Sequence, residues 1–136
     1  MIRAYIDGGA RGNPGPAGYG VWIEDATGAL IAELHRPLGS TTNNVAEYQG
    51  LLAALRYAVD HDHGVVQIRS DSLLLVKQML GEFKVKHRGL KPLAAEARLL
   101  VMQLERVDFE HVPREENAEA DRLANLAMDE AEVSAP

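Results

Sequence analysis

The sequence has no cysteine among its 136 residues. Disulfide bonds and metal sites with thiolate ligands are therefore excluded. No apolar run approaches the ~20 residues that a membrane-spanning helix needs, and the N-terminus is typical of a β-strand rather than of a signal peptide. We therefore expect a cytoplasmic protein without a membrane partner. The length predicts a single domain, which at this size buries roughly two-thirds of its unfolded surface and needs no disulfides.

Basic residues are scarce, with 14 Lys and Arg against 20 Asp and Glu, for a net charge of −6. Taken alone, this balance argues against a nucleic-acid-binding protein, because such proteins usually have a basic face. Two features would reverse that conclusion: acidic residues clustered around divalent cations, or basic residues gathered on one face. A basic cluster does occur in a predicted loop over residues 81–92: Lys84, Lys86, His87, Arg88 and Lys91.

The chain begins with a strand followed by an unusual concentration of glycine. Residues 2–6 alternate between apolar and other side chains, and this strand is predicted to end at Asp7. Four glycines follow within residues 8–15. Glycine permits turns that other residues disfavour, and it lets another molecule approach the backbone. A carboxylate next to such an open backbone is a candidate functional group.

The remaining pattern predicts an α/β fold. The predicted elements are strands 2–7, 18–25 and 29–38, helix 44–61, strand 65–72, helices 73–80 and 93–104, strand 106–112 and a final helix capped by Asn117. Antiparallel strands first and βαβ units later predict a mixed sheet covered by helices. We expect the domain to span residues 1–131. Residues 132–136 have no pattern and are predicted to be a disordered tail or the start of a linker.

Four acidic residues lie where such a sheet places its functional groups. Asp7 and Asp71 end predicted strands, Glu47 lies in the first turn of a predicted helix, and Asp121 lies in the second turn of another. Sites in open α/β sheets form at the carboxyl ends of strands and at helix starts. Converging carboxylates repel each other unless cations lie between them. Oxygen ligands suit Mg²⁺ or Mn²⁺, and two such ions about 4 Å apart can assist phosphodiester hydrolysis.

Each acid taken alone also has a simpler explanation. Asp7 fits a solvated loop, Asp71 fits a helix cap, and the helix dipole favours Glu47 in a first turn. Other enzyme templates fail, because the sequence has no Walker A, His-Glu-x-x-His or Gly-x-Ser-x-Gly motif. A Rossmann fingerprint is excluded because no helix is predicted to follow the glycine-rich stretch.

Four blocks of the sequence resemble the signature blocks of ribonuclease H, type 1, in that family's order. The blocks are Asp7–Gly18, Thr42–Glu47, Ser70–Ser72 and Arg114–Asp121. The resemblance implies a ribonuclease H-like three-layer α/β fold, with a five-stranded mixed sheet flanked by helices and three antiparallel strands ahead of the parallel ones. It also implies an endonuclease that uses two Mg²⁺ ions, or Mn²⁺, to hydrolyse the RNA strand of RNA–DNA hybrids. The products would carry 5′-phosphate and 3′-hydroxyl ends.

The resemblance also implies roles for single residues. The positions that match the family's metal-binding carboxylates are Asp7, Glu47, Asp71 and Asp121. Those that match contacts to the RNA strand are Asn13, Asn43 and Asn44, and Thr42 matches a contact to a DNA-strand phosphate. The other residues predicted to bind substrate are Gly8, Ser72, Lys84, Lys86 and Arg88.

The sequence departs from the family pattern in two places. Many members have a histidine in a loop before the last Asp, which helps the product leave. Here Arg114 and His111 are alternatives for that role, and Arg114 is preferred because it lies in the predicted loop. The long basic protrusion of some members is absent, and Lys84–Lys91 is a shorter substitute. We expect a monomer that binds RNA–DNA hybrid, either alone or within a longer multidomain chain. The alternative is a non-catalytic nucleic-acid-binding module.

Overall fold

The computed structural model describes residues 1–134 as one five-stranded sheet with helices packed on both faces. The elements are β1 (Ile2–Ala10), β2 (Gly15–Asp25), β3 (Leu30–Thr41), α1 (Asn43–Asp60), β4 (Val65–Ser70), α2 (Leu73–Met79), α3 (Lys91–Met102), β5 (Arg106–His111) and α4 (Ala118–Ser134). A short 3₁₀ turn, Arg114–Glu116, precedes α4. None of the helices within the described residues is long and apolar enough to cross a membrane.

The strand order is β3-β2-β1-β4-β5. Strand β2 pairs antiparallel with β1 and with β3, whereas β4 pairs parallel with β1 and with β5. The predicted mixed sheet, with antiparallel strands first and parallel strands later, is therefore confirmed. Strand β1 lies at the centre, so the two types of pairing meet on it.

The main core lies between one face of the sheet and helices α1 and α3. Alternate residues of β1 face this core, as period-two alternation requires. The large core side chains of α1 follow helical spacing and are at most 1% exposed: Tyr48, Leu51, Leu52 and Leu55. Each of the three leucines contributes roughly 1.5–3 kcal/mol by burial. This packing fixes α1, and with it Glu47, against the centre of the sheet.

Helix α4 packs on the opposite face, and glycine in β2 permits its approach. A Cβ atom on Gly20 would lie 2.5 Å from the backbone oxygen of Ala120 and from the backbone nitrogen of Ala124. No side chain fits between the two backbones there. Gly20 is the cross-strand partner of Asp7, so the first turn of α4 lies directly beside that acid.

Strand β1 is longer than predicted. It was expected to end at Asp7, but its antiparallel pairing with β2 continues to the pair Ala10–Ala17. The parallel pairing with β4 stops earlier, at the pair Ile6–Ser70. Asp7 is therefore the first residue beyond the parallel ladder, although it is not the end of the strand. The alternation in one strand could not reveal that its two neighbours have different lengths.

Several helix starts also differ from prediction. Residues 39–41, expected in a polar loop, belong to β3, and α1 begins at Asn43. Glu47 thus lies in the second turn of α1 rather than in the first, too far from the helix end for a strong dipole effect. Asp121 lies in the first turn of α4 and not in the second.

Hydroxyl groups cap two of the helices. The Thr42 hydroxyl accepts a hydrogen bond from the Val45 N–H at 3.2 Å, which decides between the predicted caps Thr42 and Asn43. The Ser72 hydroxyl accepts from the Leu75 N–H at 3.3 Å and caps α2. Asp71 therefore does not cap α2, and the simpler explanation for an acid at this position does not apply.

The predicted tail was placed too early. Helix α4 continues to Ser134, because Ala131 is buried and Glu132 pairs with Arg11 at 3.1 Å. The prediction of a tail from residue 132 was therefore wrong for residues 132–134. Residues 135–136, to which it also applied, lie outside the described residues.

We predict that Gly20→Ala destabilises the fold through a backbone clash with α4. Its new Cβ would meet backbone atoms that cannot rotate away, so the free energy of unfolding should fall by about 3 kcal/mol in denaturant titrations. Gly9→Ala is the matched control, since its Cβ would meet the flexible end of Met128 at 3.3 Å and Asn43 Oδ1 at an ordinary contact distance of 3.8 Å. Equal losses in the two variants would contradict the proposed close packing.

Candidate active site

An open cleft of about 750 Å³ lies where the carboxyl ends of β1 and β4 meet. Asp7 and Asp71 are the first residues beyond the parallel ladder on their strands. Glu47 reaches the same cleft from α1, and Asp121 reaches it from α4. The cleft is therefore lined by all four acids that the sequence singled out: Asp7, Glu47, Asp71 and Asp121.

Asp7 is the most strongly perturbed of these acids. Burial raises its pKa, and the Asp71 charge, a hydrogen bond with Asp121 and the Asp121 charge raise it further, to about 8. The Gly8 N–H donates to Asp7 Oδ1 at 3.0 Å and opposes this shift. In the absence of metal, this raised pKa favours a protonated Asp7 at neutral pH, with its carboxyl group hydrogen-bonded to Asp121.

Glu47 and Asp71 are shifted in the same direction. Burial raises the pKa of Glu47 to about 7, although a hydrogen bond with the Ser72 hydroxyl opposes the shift and the Asp71 charge adds to it. Burial also raises the pKa of Asp71, against the opposing effects of the Arg114 charge and a hydrogen bond from the Asn117 amide. The cleft thus concentrates more negative charge than its protein neighbours neutralise.

The donor chemistry of this cluster fits Mg²⁺ or Mn²⁺. All four candidate ligands are carboxylates, and hard divalent cations prefer oxygen. Within residues 1–134, no three His, Asp or Glu side chains are arranged as a ready-made metal cage. Mg²⁺ needs no such cage, because it commonly binds through one or two carboxylates and keeps water or substrate phosphate oxygens as its other ligands. A cation would also relieve the repulsion that raises these pKa values.

Arg114 and His111 both line the cleft. The Arg114 charge lowers the pKa of Asp71, and His111 Nε2 lies 3.3 Å from the backbone oxygen of Asp71. His111 is the last residue of β5, whereas Arg114 lies in the 3₁₀ turn. The two residues that the sequence offered for one role therefore lie at the same acid.

The asparagines predicted to read the substrate join two backbone segments. Asn13 Oδ1 accepts from the Asn43 N–H at 2.9 Å, and Asn43 Oδ1 accepts from the Ala10 N–H at 2.6 Å. These bonds tie the turn after β1 to the start of α1. Asn44 is exposed and lines the cleft together with Asn43.

The other predicted substrate-binding residues are divided between two places. Gly8 lines the acidic cleft, and Ser72 and Thr42 are engaged as helix caps beside it. Lys84 and Lys86 line a separate surface pocket that includes Phe83. Arg88 is exposed on the same segment. The structure thus does not bring the basic cluster into the acidic cleft.

Sequence reasoning missed two residues of this region. The Arg11 guanidinium, which lines the cleft, bonds to Asp129 at 2.6 Å and so holds the glycine-rich turn against α4. Asn117 lies directly before α4, as predicted, and its carbonyl accepts the Asp121 N–H at 3.0 Å, but its Oδ1 accepts no hydrogen bond from the described residues, so the predicted side-chain cap is not formed. Its amide nitrogen instead donates to the Ile6 carbonyl at 2.9 Å. No local pattern reveals contacts more than 100 residues apart in the chain.

Comparison with known proteins defines the class of domain. A family model described as "Reverse transcriptase-like" matches residues 5–127. Over 131 residues the chain is 50% identical to the "Bifunctional protein Rv2228c" of Mycobacterium tuberculosis. The aligned region covers 95% of this chain and 36% of that protein. Over 130 residues it is 40% identical to "Ribonuclease HI" of Halobacterium salinarum, covering 96% of this chain and 65% of that protein.

Solved structures agree with this classification. The N-terminal RNase H domain of Rv2228c from Mycobacterium tuberculosis is 47% identical with a TM-score of 0.92, over 98% of this chain and 99% of that one. LC11-RNase H1, solved in complex with RNA/DNA hybrid, is 44% identical with a TM-score of 0.90, over 96% and 99% of the two chains. The chain belongs to the ribonuclease H family. It spans about a third of the length of the Rv2228c protein.

We predict that Asp7→Asn stabilises the metal-free protein, and more so at high pH. Between its ordinary pKa of 3.8 and about 8, folded Asp7 keeps a proton that the unfolded chain has released. The stability of the wild type should therefore fall as pH rises through this window. The substitution should raise the free energy of unfolding by about 2 kcal/mol at pH 8 and by less at pH 5, measured in denaturant with a chelator.

The matched control is Asp60→Asn, at the exposed last residue of α1. It should leave the pH dependence of stability unchanged. A wild-type stability that rises between pH 5 and pH 8, with no gain from Asp7→Asn, would contradict the crowding of acids in the cleft.

Proposed function

We propose that this domain is an endonuclease that hydrolyses the RNA strand of RNA–DNA hybrids and leaves 5′-phosphate and 3′-hydroxyl ends. One observation carries the proposal: four carboxylates meet in one cleft of a chain that is 44% identical to LC11-RNase H1, a protein solved with RNA/DNA hybrid. The proposed cofactors are two Mg²⁺ ions, with Mn²⁺ as a substitute. The proposed ligands are Asp7, Glu47, Asp71 and Asp121.

When bound, such ions activate a water molecule and stabilise the leaving oxygen in phosphodiester hydrolysis. The chain's own contribution is to hold the ligands on different rigid elements. Asp7 and Asp71 extend from neighbouring strands, while Glu47 and Asp121 extend from helices packed on opposite faces of the sheet. Ligands on strands and helices keep their positions better than ligands on loops.

Arg114 is proposed to assist product release, with His111 as the alternative. Both lie beside Asp71. A cationic side chain at this position can attract a phosphate oxygen of the substrate or product. Since both side chains line the cleft, only kinetics of the separate variants can decide between them.

Recognition of RNA is proposed to depend on the 2′-hydroxyl group, which distinguishes RNA from DNA. Asn13, Asn43 and Asn44 are the proposed readers. The carbonyl oxygens of Asn13 and Asn43 accept backbone N–H groups, which leaves their amide nitrogens to donate to a sugar hydroxyl or a base edge. The other proposed substrate contacts near the cleft are Gly8, Thr42 and Ser72.

The basic cluster is proposed to contact phosphates of the hybrid outside the cleft. Its residues are Lys84, Lys86 and Arg88. Contacts to phosphates do not depend on the nucleotide sequence, and they weaken as the salt concentration rises. Each duplex phosphate contacted makes the slope of log K against log salt more negative by roughly 0.9. The cluster would thereby supply a positively charged face on a protein whose net charge is −6.

We further propose that the domain acts as a monomer and forms part of a longer chain. The 36% share of Rv2228c that it covers supports the second point. The Rv2228c protein and the Halobacterium salinarum enzyme come from a bacterium and an archaeon, where hybrids form in the cytoplasm together with the DNA. A cytoplasmic location is therefore proposed as well.

We predict that the wild type cleaves the RNA strand of a labelled hybrid in Mg²⁺, and that Asp71→Asn reduces the rate by roughly 10²-fold or more. A DNA duplex carrying four ribonucleotides in one strand should be cut within or beside them and nowhere else. The control Asp60→Asn should cut at the wild-type rate. A near-normal rate for Asp71→Asn would contradict the metal assignment, and equal cleavage of all-DNA duplex would contradict recognition of the 2′-hydroxyl.

A further inference from the structure

Residues 11–16 form the glycine-rich turn that joins β1 to β2, and this turn has few contacts of its own. Its residues 12–14 are exposed, and Gly12 has a positive φ of 75°. Glycine adopts many backbone conformations, so fixing it in one of them costs entropy. One backbone bond closes the turn, from the Arg11 N–H to the Pro16 carbonyl at 2.9 Å. Holding the turn against the rest of the domain therefore requires side-chain contacts.

The Arg11 side chain makes such contacts with helix α4. Its Nη1 donates to Asp129 Oδ1 at 2.6 Å and lies 3.1 Å from Glu132 Oε1. Its Nη2 donates to Asn125 Oδ1 at 3.2 Å. Two carboxylates and an amide thus hold the planar guanidinium in one orientation, which the single ammonium group of a lysine would not allow. Because its charge is already paired with two acids, Arg11 is better suited to holding the turn than to attracting a phosphate.

Asn125 continues this link to one of the acids in the cleft. Its amide nitrogen donates to the backbone carbonyl of Asp121 at 2.9 Å, while its Oδ1 accepts from Arg11. Arg11 and Asn125 both line the cleft. On its other side, the turn is tied to the start of α1, since Asn13 Oδ1 accepts from the Asn43 N–H at 2.9 Å. The glycine-rich turn is therefore fixed between α1 and the helix that carries Asp121.

Arg122 is an arginine in a comparable setting outside the cleft. Its Nη2 donates to Glu33 of β3 at 3.0 Å and to Glu119 at 3.1 Å. Like Arg11, it is partly exposed and joins α4 to another part of the chain through carboxylates. Partly exposed ion pairs of this kind contribute little to stability. A difference in activity between variants of Arg11 and Arg122 would therefore reflect where the two residues lie.

We infer that Arg11 is a positioning residue for the recognition of RNA. It holds the glycine-rich turn, and with it Asn13, in a fixed place relative to Asp121, so that the sugar contacted by Asn13 lies in register with the acids. The inference rests on the proposed function, because it takes Asn13 as a reader of the RNA strand. Arg11 acts through the turn and contacts neither the cation nor the 2′-hydroxyl group.

The test compares Arg11→Met with the matched control Arg122→Met. Methionine keeps an unbranched apolar side chain and removes the charge and the donors. Arg11→Met should raise the KM for hybrid about fivefold or more, while kcat at saturating hybrid stays within about twofold, because the turn contributes to binding. Arg122→Met should leave both constants within about twofold of the wild type. Arg11→Lys keeps the charge without the planar fork, should give an intermediate KM, and replaces Arg11→Met if that variant does not fold.

A double-mutant cycle tests whether Arg11 acts through Asn13. In the Asn13→Ala background, Arg11→Met should cause no further rise in KM, because the side chain that Arg11 positions has been removed. Effects of the two substitutions that simply add would overturn the inference.

Hydrogen exchange of backbone amides provides a measurement without substrate. In Arg11→Met the amides of residue 11 and of Asn43 should exchange about fivefold faster or more, because both are bonded within or to the turn. Arg122→Met should leave them unchanged. Wild-type KM in Arg11→Met, or wild-type exchange at both amides, would overturn the inference. A wild type that cleaves no hybrid would refute the proposed function instead, and the exchange rates would still decide whether Arg11 holds the turn.

Discussion

Close contact between backbones at Gly8 and Gly20 is the constraint on which the site depends. A Cβ atom on either residue would lie 2.5 Å from helix backbone, at Glu47 for Gly8 and at Ala124 for Gly20. The two glycines face opposite sides of the sheet, since α1 covers one and α4 covers the other. Both helices can therefore approach the strand that carries Asp7. Without this approach, Glu47 and Asp121 would lie further from the strand ends, and four separate acids would not share one cleft.

The same approach creates an electrostatic problem. Burial and mutual repulsion raise the pKa values of Asp7, Glu47 and Asp71 together. In the metal-free protein a proton on Asp7 relieves part of the repulsion, and Arg114 and Asn117 relieve part of it at Asp71. A divalent cation would relieve it more fully, because it brings two positive charges to the place where the protein supplies few. Crowding of acids thus disfavours the charged form of the free protein and would favour the binding of a cation.

Much of the fold was predictable from local pattern. Alternation identified the strands, helical spacing identified α1 and the apolar side of α4, and the order of elements predicted the mixed sheet. The sequence also singled out Asp7, Glu47, Asp71 and Asp121, which line one cleft, although Asp7 does not end its strand and Glu47 lies in the second turn of its helix. These features depend on residues that are near one another in the chain.

What could not be predicted depends on residues far apart in the chain. The end of β1 depends on the lengths of its two neighbours, and the pairing of Arg11 with Asp129 spans 118 residues. Asn117 was predicted to cap a helix with its side chain, whereas its amide nitrogen donates to the Ile6 carbonyl in the first strand. Glycine was misjudged in a related way: Gly8 suggested an open loop, whereas it lies in a strand beneath a helix.

The central claim is that the four acids form one cation site, and that metal binding at this site displaces a proton from the acids. Calorimetric titration of the free protein with Mg²⁺ at pH 7, in buffers of different ionisation enthalpy, tests it most directly. Since Asp7 has a pKa of about 8 and Glu47 of about 7, binding should release about one proton, and the release should be strongly reduced in Asp7→Asn. No binding at millimolar Mg²⁺, or binding heat that is the same in every buffer, would contradict the claim.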